Sequence, residues 1–318
     1  MAIKHEHNLV MPALQRLRLG TRSSNLAVTQ SRHIAKLLTR AHPKLRIELV
    51  EIQTTGDTIL DKSLQSFGGT GVFVKELENA LMDGRIDLAV HSLKDLPTRQ
   101  PAALVVAAVP RREDPRDVAV LKKARKLSEL PPGSVIGTGS LRRQAQLKRR
   151  YPHLEFAEIR GNVETRIRKV AEGQYNGTIL ARAGLRRLGL MKKVTQALPL
   201  SVMLPAPGQG ALAVECRVGD KQLRKMIHTI HDSKVEWCVR AERVLLEALG
   251  GGCHLPLGAL GQIEGNVLRL RAFLGLPDGS LFVKAEATAA PDAASRLGKK
   301  VAGMLLASGG KEILEKLK

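Results

Sequence analysis

The sequence predicts two α/β lobes and a small third domain of α+β type. Three observations carry this expectation. Strand-like and helix-like apolar patterns alternate from residue 14 to residue 90 in a βαβαβ rhythm. A proline-bounded segment, PRREDP at residues 110–115, separates that stretch from a second one with the same rhythm. From Asp232 the texture changes to one long helical pattern followed by alternating segments.

In chain order, residues 14–20 (LQRLRLG) alternate as a strand does, and residues 24–40 place Leu26, Ile34, Leu37 and Leu38 at helical spacing. Residues 47–52 read as a second strand and 71–83 (GVFVKELENALMD) as a second helix. A buried-type strand at 86–90 ends in the polar turn HSLKDLP. Beyond the hinge, strands are expected at 118–121, 134–137, 156–159 and 178–181, with a helix at 163–171. The second of these strands runs into GTGSLRRQAQLKRR and the last into AGLRRLGL. The punctuated turn LPAPGQG (204–210) precedes a strand at 211–216 that can return to the first lobe. A long helix over 234–249 ends in three glycines and Cys253. Alternating segments at 267–274 and 281–287 and a last helix complete the third domain. The expected domains are 14–110 with 211–230, then 111–204, then 232–318. No internal repeat is strong enough to name.

The chain has 318 residues, with 51 Lys+Arg against 30 Asp+Glu and a formal net charge of +21. Such an excess calls for an anionic partner: nucleic acid, a membrane surface, or a small molecule rich in carboxylate or phosphate. The charge is unevenly spread. Residues 111–195 hold 21 Lys+Arg against 8 Asp+Glu, a net of +13, so one lobe carries most of it. Aromatics are only 3% of the chain, a poor supply of stacking platforms for single strands. No apolar run approaches the roughly 20 residues of a membrane span, and the N-terminus lacks an apolar signal-peptide core. Cys216, Cys238 and Cys253 have no metal-type spacing, so free thiols in the cytoplasm, and no metal site, are expected.

Five segments can carry chemistry. His91-Ser92-Leu93-Lys94-Asp95-Leu96-Pro97 follows a buried strand, at the end of an α/β sheet that faces the cleft. A carboxylate there, beside cations, can steady a developing positive charge or shuttle a proton, and Lys94 can neutralise an acid on the substrate. Gly137-Thr138-Gly139-Ser140-Leu141-Arg142-Arg143 puts small residues, hydroxyls and paired arginines at a helix start. That is either an anion cradle or an ordinary helix capped by Ser140. Arg160-Gly161-Asn162-Val163-Glu164-Thr165-Arg166 repeats the device, and Thr21-Arg22-Ser23-Ser24 supplies a cation from the opposite lobe. Gly251-Gly252-Cys253-His254 exposes a thiol at a helix end, beside a histidine that can favour thiolate. Two other classes compete: a nucleic-acid binder driven by the basic lobe, and a non-catalytic binder of an acidic metabolite. Few aromatics and arginines set at strand ends count against the first. The absent signal peptide and the Lys94-Asp95 pair count against the second.

Seven motifs stand in order along the chain: TRSSNLAVTQ, GVFVKELENAL, DLAVHSLKDLPT, GTGSLRRQAQL, IRGNVETRIRK, LPAPGQGALAVECR and GGCHLPLGA. Together, over roughly residues 14–318, they resemble the porphobilinogen deaminase (hydroxymethylbilane synthase) family. The resemblance implies two periplasmic-binding-protein-like (type II) α/β lobes around a cleft, plus a small cysteine-bearing α+β domain. It implies a transferase of porphyrin and heme biosynthesis that joins four porphobilinogens head to tail, with loss of ammonia from each. Hydrolysis then frees linear hydroxymethylbilane. A dipyrromethane cofactor, held by a thioether to Cys253, primes the chain.

By the same resemblance Asp95 is the catalytic carboxylate, serving the leaving amine, the azafulvenium cation and the proton lost from the pyrrole carbon. Lys94, Thr138, Ser140, Arg142, Arg143 and Arg166 hold the cofactor, and Phe73 packs against its pyrroles. Arg22, Ser24, Gln30, Arg160 and Arg187 face the substrate or growing chain. Each porphobilinogen brings two carboxylates, so a cofactor and four added units carry twelve, which calls for an arginine-rich cleft. The family's glycine loop often reads GGKGLF. Here Gly68-Gly69-Thr70-Gly71-Val72-Phe73 lacks that lysine. A monomer acting on porphobilinogen, and on neither nucleic acid nor membrane, is expected.

Overall fold

The computed structural model describes residues 15–53, 74–252 and 255–318. The chain opens with β1 (Arg16–Thr21), whose Leu17 and Leu19 are buried while Arg16 and Arg18 pair with Glu48 and Asp87. Next is α1 (Asn25–Ala41). The Ser24 hydroxyl caps it by accepting from the Ala27 N–H, and Ile34 and Leu38, four apart, bury its inner face. β2 (Arg46–Glu51), α2 (Lys75–Met82), β3 (Leu88–Ser92) and β4 (Leu104–Ala108) follow. β3 is buried almost throughout, as a strand covered on both faces must be.

Past the hinge come β5 (Asp117–Leu121), β6 (Val135–Gly137), α3 (Leu141–Arg150) and β7 (Glu155–Ala157). The lobe continues with α4 (Val163–Glu172), β8 (Gly177–Ala181), α5 (Arg182–Arg187) and β9 (Gln196–Ala197). The chain then crosses back as β10 (Leu212–Arg217) and α6 (Lys221–His228).

The first sheet runs β2-β1-β3-β10-β4, with β1 parallel to β2 and β3 and with β10 antiparallel to both of its neighbours. The second runs β7-β6-β8-β5-β9, with β6 parallel to β7 and β8 and with β5 antiparallel to both of its neighbours. The two lobes therefore share one topology, in which the reversed strand is the one that crosses the hinge. This is the type II periplasmic-binding-protein-like arrangement. A repeat invisible in the residues is plain in the backbone.

The third domain has α7 (Ser233–Ala248), an antiparallel sheet β11 (Leu257–Glu264), β12 (Val267–Gly275) and β13 (Phe282–Ala289), then α8 (Ala294–Leu305) and α9 (Lys311–Lys316). Leu245 of α7 and Leu297 and Val301 of α8 pack on Leu268, Leu270 and Leu274 of the sheet. On the other side Phe273 meets Ala145 and Leu204, so this sheet rests on the second lobe. β4, β11 and α6 are elements that the sequence reading did not single out.

Candidate functional site

After β3 the chain makes one tight helical turn, Leu93–Asp95, with Leu93 buried, Lys94 half-buried and Asp95 exposed. Three neighbours fix this turn. The Leu93 N–H donates to the Ala211 carbonyl at 3.0 Å. Gly208 lies behind it with φ +73°, and a Cβ there would stand 3.2 Å from the Lys94 nitrogen. Arg243 of α7 donates to the carbonyls of Leu96 (2.9 Å) and Pro97 (2.6 Å). At the strand end, Gln30 Nε2 donates to Ser92 Oγ at 2.9 Å. One residue earlier on the same strand, His91 Nε2 sits 2.9 Å from Glu215 Oε2 of β10, with both side chains buried.

Facing the turn from the second lobe is a buried ionic cluster. Arg142 Nη1 donates to Asp117 Oδ2 at 2.7 Å, and Arg143 Nη2 donates to Asp117 Oδ1 at 2.8 Å. Arg143 Nε (3.2 Å) and Gln209 Nε2 (3.1 Å) also donate to Asp117 Oδ1. The arginines also donate to the carbonyls of Leu204 (2.7 Å) and Ile179 (2.8 Å). Burial alone would raise the Asp117 carboxyl, but Arg142 and Arg143 outweigh it and hold it at about 2. Burial also pushes the Lys94 ammonium below its ordinary value. Asp95 opposes that shift and the charge of Arg143 deepens it, so Lys94 and this cluster share one electrostatic site.

Thr138 and Ser140 precede Arg142 in the chain, and Arg166 feels the charge of Arg143. Thr138 is buried, and its Oγ1 accepts from the Ser140 N–H at 3.2 Å. Ser140 occupies the N-cap position of α3, yet its hydroxyl makes no capping bond there. The helix-cap alternative for Ser140 therefore does not describe its side chain. Ser24 does cap α1. Arg166 Nε donates to the Gly161 carbonyl at 2.8 Å. Burial, then the charges of Arg143 and Arg160, press its guanidinium down to about 10. Arg160 pairs with Glu158. Arg187 Nη2 donates to the Gly210 carbonyl at 2.8 Å, and burial lowers it to about 10. Arg187 and Ser23 line a cavity of about 440 Å³ where Asn25 Nδ2 reaches Glu164 Oε1 (3.0 Å) between the lobes. Arg22, half-buried, lies on the same N-terminal segment as Ser24. Phe73, Cys253 and the glycine loop at 68–73 lie outside the described residues.

Two residues escaped the sequence reading. Asp117 is one of three acids among three arginines in residues 111–117, and nothing local distinguishes it. Glu242, inside the long helix α7, is wholly buried. It accepts from Arg112 Nη1 (2.7 Å) and from the N–H groups of Gly208 (2.6 Å) and Gly261 (2.8 Å). It joins hinge, cleft-backing loop and third domain at one point.

The donor set fits a polycarboxylate group. Two buried guanidiniums share one carboxylate, Arg142 Nε is buried without a partner, and Arg166 is crowded by like charge. Lys94, Arg142, Arg143, Arg160 and Arg166 outnumber Asp95, Asp117 and Glu158 here, and an anion resolves that imbalance. Among the described residues no His/Cys/Asp/Glu group could hold a metal ion, and no helix is long and apolar enough to cross a membrane.

Two lobes of one topology, a third domain and a buried cluster in which cations outnumber acids suit a protein that takes up an acidic small molecule. Two family models match the chain: "Porphobilinogen deaminase, dipyromethane cofactor binding domain" over residues 17–225, and "Porphobilinogen deaminase, C-terminal domain" over residues 237–307. The chain belongs to the porphobilinogen deaminase family, transferases that condense porphobilinogen and carry a dipyrromethane cofactor. It is 44% identical over 307 residues to the porphobilinogen deaminase of Nitrosomonas europaea, covering 96% of this chain and 100% of that one. It is 46% identical over 301 residues to that of Syntrophus aciditrophicus, covering 95% and 98%. Among solved structures it is similar to the methionine-binding protein MetQ, with a TM-score of 0.44 and 14% identity over 68% of this chain and 90% of that one.

Proposed function

We propose that the chain joins four porphobilinogens head to tail on a dipyrromethane held at Cys253. One ammonia is lost per unit, and linear hydroxymethylbilane leaves by hydrolysis. The observation that supports the residue assignment is the meeting of Lys94-Asp95 from one lobe with Arg142, Arg143 and Asp117 from the other. The dipyrromethane, when bound, would supply the free pyrrole carbon to which the first unit is added, each later unit adding to the ring that is then terminal.

The carboxyl of Asp95, exposed on its fixed turn, passes its proton to the leaving amine, faces the resulting cation as a carboxylate, and regains a proton from the pyrrole carbon once the new bond has formed. Lys94, Thr138, Ser140, Arg142, Arg143 and Arg166 hold the cofactor's carboxylates, and Phe73 packs against its rings. Arg22, Arg160 and Arg187 bind those of the incoming substrate, while Ser24 and Gln30 shape the same wall through the α1 cap and Ser92. The domains are 14–110 with 211–230, 111–204 and 232–318.

Intact-mass spectrometry tests this reading. The protein should carry an adduct of dipyrromethane size that Cys253→Ser abolishes. Asp95→Ala should keep the adduct while turnover falls by at least about 100-fold. An unmodified protein of full activity, or turnover that survives Asp95→Ala, would overturn it.

The chain works as a monomer, on porphobilinogen rather than nucleic acid, in the cytoplasm. Among the described residues the exposed large apolar side chains are Met82, Val218, Val267 and Met304, and burial pushes the free thiols of Cys216 and Cys238 up to about 11 and 12. Sedimentation and filter-binding measurements check the first two statements.

A further inference from the structure

A cavity of about 560 Å³ lies between the second lobe and the third domain, within the size range of small-molecule sites. None of the residues assigned to the cofactor or substrate lines it. Its walls are the last turn of α3, the segment around Ser201, and the face of β12–β13 turned toward the second lobe. Four cations border it: Arg149 and Arg150 on α3, Arg271 on β12 and Lys284 on β13. Arg271 and Phe273 are two apart on β12, and Lys284 is the ladder partner of Phe273, so the three share one sheet face.

Arg150 lies 5.5 Å above the Tyr151 ring, but among the described residues none of the four cations pairs with a carboxylate. The one acid at the cavity, Glu286, is held by Arg269 Nε at 2.6 Å. Arg271 gives Nη2 to Gln262 Oε1 (2.6 Å), while its Nε is buried with no partner. Neighbouring Lys148 differs, because its ammonium donates to the carbonyls of Pro152 (3.0 Å) and Leu154 (2.8 Å). Between the charges the lining is apolar, with Leu200, Val202 and Phe273. Arg149 lies 3.4 Å above the Phe282 ring, which stacks with Phe273.

We propose that this cavity binds a small ring-bearing polycarboxylate at a site separate from the catalytic cleft. Guanidinium forks and an ammonium at the rim match carboxylates, and the apolar and aromatic floor matches a flat ring. The ligand would bridge two domains. It would also touch Leu204, whose carbonyl accepts from Arg142, so the site adjoins the catalytic cluster without sharing its side chains.

The test uses the cofactor-loaded protein, with benzene-1,2,4,5-tetracarboxylate as the probe and inorganic phosphate as the comparison. Amide NMR shifts at Ser201, Phe273 and Lys284 should move and saturate with the ring acid. Phosphate should bind at least about tenfold more weakly, as should the ring acid to an Arg150→Gln, Lys284→Gln double variant. The variant should keep basal turnover, and the probe should raise Tm for the unaltered chain but not for the variant. Absence of saturable shifts, equal binding by the variant, or phosphate binding as tightly as the ring acid would each overturn the proposal.

Discussion

At the scale of single residues the site turns on Asp117. Arg142 and Arg143 stand out in the sequence because small residues and hydroxyls precede them at a helix start. Their counter-charge does not, because one Asp among PRREDPRD resembles any surface acid until β5 is buried between β8 and β9. Asp117→Asn keeps the shape but leaves two buried guanidiniums without a carboxylate. Denaturant unfolding should show a loss of about 3–5 kcal/mol, and a change below about 1 would contradict this role. The pH dependence has a definite sign. The folded carboxyl sits at about 2 against an ordinary 3.8, so its stabilising effect is complete above pH 4 and is lost as pH falls toward 2. The acid limb of the Tm–pH curve should flatten in the Asn variant.

Among elements, those with strong periodicity were readable. Expected helices at 24–40, 163–171 and 234–249 correspond to α1, α4 and α7, shifted by a residue or so at their ends. β11 (LGALGQIE) is held by its ladder with β12 rather than by a bulky alternating pattern, and β4 is a short apolar run. Neither announces itself locally. The catalytic turn also depends on distant elements, namely the Gly208 loop behind it and Arg243 of α7 across it. Gly208→Ala would place a methyl against the Lys94 nitrogen in a left-handed conformation. It should cost about 1–2 kcal/mol in melting experiments and lower kcat more than it raises KM. Unchanged kcat would mean that the turn tolerates displacement.

At the scale of the molecule, Glu242 ties the parts together through Arg112, Gly208 and Gly261. Glu242→Gln removes the charge that Arg112 requires, and a loss of about 3–5 kcal/mol is expected. Loss of the single cooperative transition in calorimetry would accompany it, whereas an unaltered thermogram would show that the domains hold together by other means. The two-lobe plan was legible because its rhythm occurs twice, but the shared topology was not, since it resides in strand order rather than in similar residues. Within that order, β10 lies between β3 and β4. A ribosome therefore delivers four strands of the first sheet long before the one that separates two of them. The second lobe is already complete when residue 217 emerges. Although translated later, it has every strand it needs first, and the N-terminal half must wait with an open sheet edge for its missing neighbour.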